Sequence, residues 1–268
     1  MQAKRLGLRY AAQAPVMLAA LWVVLAAGVV MGWWRLPAAW FAWLVCSMLG
    51  VALLSLWVRW QREKFIREAA LPQFLKRKLR ETYPHLSGKD AELVERGLRQ
   101  FFLACARSNR KFVAMPSQVV DAMWHEFILH TRGYQDWCDC ALGWFLHHTP
   151  ALVLGAKASP NDGLRRAWYW ACRDEAIRPE TPSRLPLLFA LDAKLQIANG
   201  FHYLPDCRGV ARKNDDTAGG GTAYCGTSFS DGSYSGDASG FGGADASSDG
   251  ADGGDSGGDS GGCGGGGD

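Results

Sequence analysis

Charged residues are missing from two long stretches of this chain, one between Arg9 and Arg35 and the other between Arg35 and Arg59. Their absence argues against a proton or ion pathway, which needs charged groups inside the spans. Cysteine is sparse, with eight in 268 residues and no CxxC pair, so a disulfide scaffold is not expected. No segment alternates polar and apolar residues with period 2, which excludes a sheet as the organising element. No glycine-rich phosphate loop follows a strand, and GxSxG is absent, leaving Ser or Cys nucleophile chemistry only the diffuse support of a Cys and several His. Basic residues stop at Lys213, and no nucleic-acid module accompanies them, so nucleic acid is a weak candidate partner.

What is present falls into separate regimes. All 29 Lys and Arg lie at or before Lys213 with 16 of the 26 acids, whereas the residues from Asn214 hold ten Asp and most of the glycine. The two uncharged stretches each have the roughly 20 apolar residues that a bilayer core requires. Lys4, Arg5 and Arg9 precede the first, and Arg59, Arg62, Lys64 and Arg67 follow the second, so the positive-inside rule sets both termini in the cytoplasm, at an inner membrane. Trp33, Trp34 and Trp40 at one end and Trp57 and Trp60 at the other suit interfacial belts; Trp22 and Trp43 lie deeper and need another account.

The next stretch, with Arg59, Arg62, Lys64, Arg67, Lys76, Arg77, Lys78 and Arg80 among apolar residues, suits either anionic lipid headgroups or a solvated stalk helix, interrupted at Pro72. Helices follow over Ser87–Asn109, capped by Ser87, from Pro116 and Ser117 onward, over Trp137–His147, over Asp162–Ile177 and over Ser183–Ala198. The fold class is therefore all-α: a transmembrane hairpin (1–60), a basic amphipathic stalk (61–84), a soluble domain of about five helices (85–208) and a disordered acidic, glycine-rich tail (209–268). Cys225 and Cys263 stand alone in that tail.

Four of the six histidines lie in Asp121–His148. Asp121 and His125, four apart on a helix, share a face, which is how a carboxylate supports a ligating or general-base imidazole. His130 lies about 140° round from His125, so HEFILH is not a HExxH chelate. Cys138 and His147 are about 180° apart on one regular helix, so a site forms only if that helix breaks near its end. Its ligands would be His125, Cys138 and His147 or His148, a set that suits zinc.

Asp121, Trp124 and His125 (DxxWH), Tyr134, Cys138, Gly143, His147 and His148, then Phe201, His202, Tyr203, Pro205, Asp206 and Cys207 with a glycine-rich end, form a further pattern. On these residues, over about Gln73 to Cys207, the chain resembles the glycine-rich domain-containing protein-like family of plants and of membrane-anchored bacterial forms. Plant members carry W-H-x-H; Phe127 stands at the second His here, so any ligand role of that position is lost. The resemblance implies the domain limits and the choice of His125 and Cys138, and it supplies no reaction. Two functions are open: a membrane-anchored domain that binds or organises a protein partner, or a zinc-binding domain or metal-dependent enzyme built on Asp121, Trp124, His125, Tyr134, Cys138, His147 and His148.

Overall fold

The computed structural model describes residues 2–33, 35, 38–149, 160–206, 224–231 and 243–245, and these are mostly helical. Helices α1 (Gln2–Val30) and α2 (Trp40–Glu68) are each long and apolar enough to cross a membrane. Large apolar side chains such as Val16, Leu21, Phe41, Met48 and Leu53 stand exposed along them, a surface that water would not stabilise. Trp22 donates its indole N–H to Ser47 Oγ across the pair (3.1 Å), which accounts for one of the two deep tryptophans. Trp33, Trp40, Trp57 and Trp60 are exposed, and Trp34 lies outside the described residues.

Residues 61–84 are not a free-standing stalk. α2 runs on past its apolar part and buries Phe65 and Ile66 in the domain core, and Arg99 Nη1 donates to the Ile66 carbonyl (2.7 Å). Pro72 interrupts the chain as expected, and α3 (Phe74–Thr82) then buries Leu75 and Leu79. Three cations assigned to lipid are engaged within the domain: Arg62 donates to the Leu142 carbonyl, Arg67 pairs with Asp174, and Lys76 pairs with Glu95. Arg77 and Lys78 pair with Glu81 at the surface, where Arg59, Lys64 and Arg80 are also exposed.

The central helix α4 (Gly88–Arg107) begins at a capping box, in which Ser87 and Asp90 satisfy each other's backbone N–H groups. Its Val94, Leu98, Phe101, Phe102 and Cys105 form the core spine. The extended piece β1 (Val113–Ala114) leads to α5 (Gln118–Leu129) and α6 (Thr131–Ala141). α6 does not reach His147 as its amphipathic pattern implies. The N–H groups of Leu142 and Gly143 both return to the Cys138 carbonyl (2.8 and 2.9 Å), and Gly143 takes φ +85°, a conformation that side chains oppose. A Cβ there would also overlap the Arg62 guanidinium. The chain continues as β2 (His147–Thr149).

Beyond α7 (Pro160–Asp174), the expected helix over 183–198 is confined to α8 (Leu187–Lys194), because Pro186 sets its start and Gln196 is left-handed at φ 52°. β3 (Tyr203–Leu204) pairs in parallel with β4 (Tyr224–Cys225), α9 (Gly226–Asp231) follows, and β5 (Gly243–Asp245) inserts antiparallel between β1 and β2. Two pieces of the tail expected to be disordered are thus structured. Phe229 is buried against Trp168, Phe189 and Tyr203, so an isolated aromatic in a Gly/Ser run completes the core. Cys225 does not stand alone: it is disulfide-bonded. The rest of the tail expectation, including Cys263, falls outside the described residues.

Candidate metal centre

The start of α5 is held by a carboxylate from another helix. Buried Asp192 of α8 accepts from Ser117 Oγ (2.6 Å), from the backbone N–H groups of Gln118 and Val119 (2.8 and 3.2 Å), and from that of Phe201 (3.0 Å). An anion at a helix N-terminus satisfies orphan donors and complements the helix dipole. With its start fixed, α5 turns Val120, Met123, Trp124 and Phe127 into the core and leaves Asp121 and His125 toward solvent. Nothing local in the sequence marks Asp192: within LLFALDAK it reads as an ordinary helical Asp, and its partners lie far away in sequence.

A second buried network fixes the turn after α6. Trp124 Nε1–H donates to the Tyr134 hydroxyl (3.1 Å), which donates to the Leu146 carbonyl (2.7 Å). Cys138 lies fully buried beside Tyr134; burial pushes its thiol up to about 12. Its sulfur is not among the ligand atoms that converge nearby, and its surroundings are those of a core residue. Because the strand begins directly after this turn, neighbouring histidines take opposite sides. His147 packs on Phe145 (ring centroids 4.7 Å), while His148 turns to Trp124 (4.7 Å) and His125 (4.2 Å).

Asp121, His125 and His148 then meet, with one ligand atom from each lying within 4.8 Å of the other two. His148 Nε2 is 3.2 Å from Asp121 Oδ1, and His125 Nδ1 is 3.4 Å from Asp121 Oδ2 and 2.9 Å from the Asp121 carbonyl oxygen. Ligands about 2.0–2.1 Å from a tetrahedral zinc lie about 3.3 Å apart, so the His148–Asp121 separation matches a coordination edge. His125 Nδ1 meets the other carboxylate oxygen and donates to the Asp121 carbonyl, a bond that ligation through Nδ1 would replace. His148 is 12% exposed and His125 52%, giving a site with one sheltered and one open side. A cleft of 390 Å³ lined by Tyr83, Ser117, Gln118, Asp121, His125 and Phe201 adjoins it. A metal held by all three would keep an open side for a water in the fourth position.

Of the seven residues singled out from the sequence, the structure brings together three, Asp121, His125 and His148. Trp124 and Tyr134 support them from beneath, Cys138 lies in the core, and His147 faces away. Asp121 becomes a direct ligand candidate in place of a support for His125. His130 meets Phe74 edge-on (5.2 Å), away from the cluster.

The model of the UCP032817-like family matches residues 61–229, and the chain belongs to this family. The matched segment begins inside α2 and ends at Phe229, the stretch over which the buried core extends. No curated protein and no solved structure matches the chain.

Proposed function

We propose that this member of the UCP032817-like family is a membrane-anchored helical domain that binds one divalent transition metal, of the zinc type, through Asp121, His125 and His148. The observation that carries the reading is the convergence of three ligand atoms from α5 and β2 within 4.8 Å of one another. It is preferred to a partner-binding scaffold because it accounts for the paired histidine and carboxylate and for the buried networks beneath them. The donor set, two imidazoles and a carboxylate, suits zinc. Metal held there would acidify a bound water facing the cleft, so hydrolysis of a small substrate is the enzymatic form of the proposal.

The anchor is read as a hairpin in an inner membrane, both termini cytoplasmic, from the flanking charges. The DxxWH pattern is read as kinship with the glycine-rich domain-containing protein-like family; in it, Trp124 fixes what lies beneath Asp121 and His125.

The test uses the full chain in detergent, loaded with zinc, desalted and assayed by elemental analysis. About one zinc per chain is expected, and it should be lost in His148→Ala and Asp121→Asn. No stoichiometric metal, or metal kept in both variants, overturns the reading. A reporter fused to the C-terminus that works only outside the cytoplasm would overturn the orientation and leave the metal site standing.

A further inference from the structure

A second cavity, of 530 Å³, lies where the apolar part of α2 ends, and Arg59, Arg62, Glu63, Arg107, Arg110, Trp144 and Trp170 line it. Its charge is uneven. Arg107 is matched by Glu63 and Asp174, whereas among the described residues Arg59, Arg62 and Arg110 form no ion pair. Arg110 stands over the Trp144 ring (5.0 Å) and Arg107 over Trp170 (5.7 Å), so aromatic faces hold two of the guanidiniums in place. Arg62 and Trp144 each keep a buried N–H donor, Nε and Nε1, without an acceptor.

The backbone that presents Arg110 is unusual. Asn109 and Arg110 are consecutive left-handed residues, at φ 49° and 62°, just after α4. Neither is glycine, and such conformations persist only where surrounding contacts over-determine them. The Arg62 guanidinium is fixed by its bond to the Leu142 carbonyl (2.6 Å). An arrangement that gathers guanidiniums without carboxylate partners at the end of an apolar helix is matched to a phosphate at headgroup depth. Exposed Trp57 and Trp60 mark that depth on the same helix.

We propose that this cavity is a binding site for the phosphate of an anionic phospholipid headgroup, held by Arg59, Arg62 and Arg110. It differs from a diffuse basic surface, because Arg110, Trp144 and Trp170 come from loops and a helix far from the basic stretch in sequence. The proposal is independent of the metal centre and rests on α1 and α2 lying in a bilayer.

The full chain purified in a neutral maltoside detergent is titrated with phosphatidylglycerol, cardiolipin or phosphatidylcholine, and bound lipid is counted by native mass spectrometry. Anionic lipid is expected to be retained in preference to phosphatidylcholine, with retention falling about fivefold in Arg110→Gln and again in Arg62→Gln. The double variant Arg77→Gln/Arg80→Gln, on exposed α3, should leave retention unchanged. Equal retention of all three lipids, an equal loss in the α3 variant, no loss in Arg110→Gln, or displacement of the lipid by millimolar inorganic phosphate overturns the proposal. Resistance of the full chain to alkaline carbonate extraction from membranes tests the bilayer premise separately.

Discussion

His148 Nε2 lies 3.2 Å from Asp121 Oδ1, joining a three-residue strand to the first turn of α5 across 27 residues of chain. Its neighbour His147 points to the opposite side and packs on Phe145. The two adjacent histidines are therefore separable by substitution. His148→Ala should abolish zinc retention, and His147→Ala should leave its stoichiometry intact; elemental analysis of the two variants side by side decides it.

Cys138 offers a contrasting expectation. Buried, with its thiol pushed up to about 12, it should resist maleimide at neutral pH in the folded chain and react only on unfolding. Cys138→Ala should keep the metal. Rapid labelling of the native thiol, or zinc loss in the variant, would contradict its place in the core.

Asp192 should matter more than its position in sequence suggests. Asp192→Ala strips four donors of one buried acceptor, and about 3 kcal/mol of destabilisation is expected from denaturant unfolding. Weaker zinc retention should accompany it, because α5 carries Asp121 and His125.

Phe229 lies outside the region bounded as a domain from the sequence, yet it is 2% exposed in the core. Phe229→Ala should cost about 3–5 kcal/mol. A chain cut after Cys207 should be destabilised at least as much, as a lowered melting temperature would show.

Burial opposes ionisation of Glu95, but hydrogen bonds from Lys76 and Arg99 outweigh it and hold the carboxyl below the usual glutamate range. A depressed folded-state value gives stability that is present above the unfolded value and is lost as pH falls through the folded one. Since Arg99 also holds the Ile66 carbonyl, acid should loosen the join between α2 and α4. Glu95→Gln should lower stability at neutral pH and flatten its fall below about pH 4.5; an unchanged slope would remove Glu95 from the account.

The parts of the fold legible in the sequence are those with local causes. Ser87 with Asp90, Ser117 and Pro72 act on neighbouring backbone, and each sets the boundary expected of it. The break after Ala141 has distant causes. Arg62 reaches the Leu142 carbonyl from α2, and Tyr134 reaches that of Leu146, while residues 137–147 taken alone keep a helical pattern. For the same reason the sequence could state that His147 or His148 joins His125 only through a helix end, without choosing between them. The residue type of Cys138 and the family resemblance point to the site, whereas its alignment with Leu142 on one helix face describes its buried surroundings. Phe229 and β5 were hidden by composition, since a few apolar residues in a Gly/Ser/Asp run do not reveal which pieces dock.

The insertion of β5 between β1 and β2 sets an order of events. Ala244 pairs with His148 and with Val113, so the strand carrying one ligand candidate gains its partner only when residues near the end of the chain arrive. During synthesis, Asp121 and His125 emerge long before that partner exists. Loading of the proposed metal would then await residues 243–245, and a ribosome-stalled chain ending before Gly243 would present the same three side chains without the strand that pairs with His148.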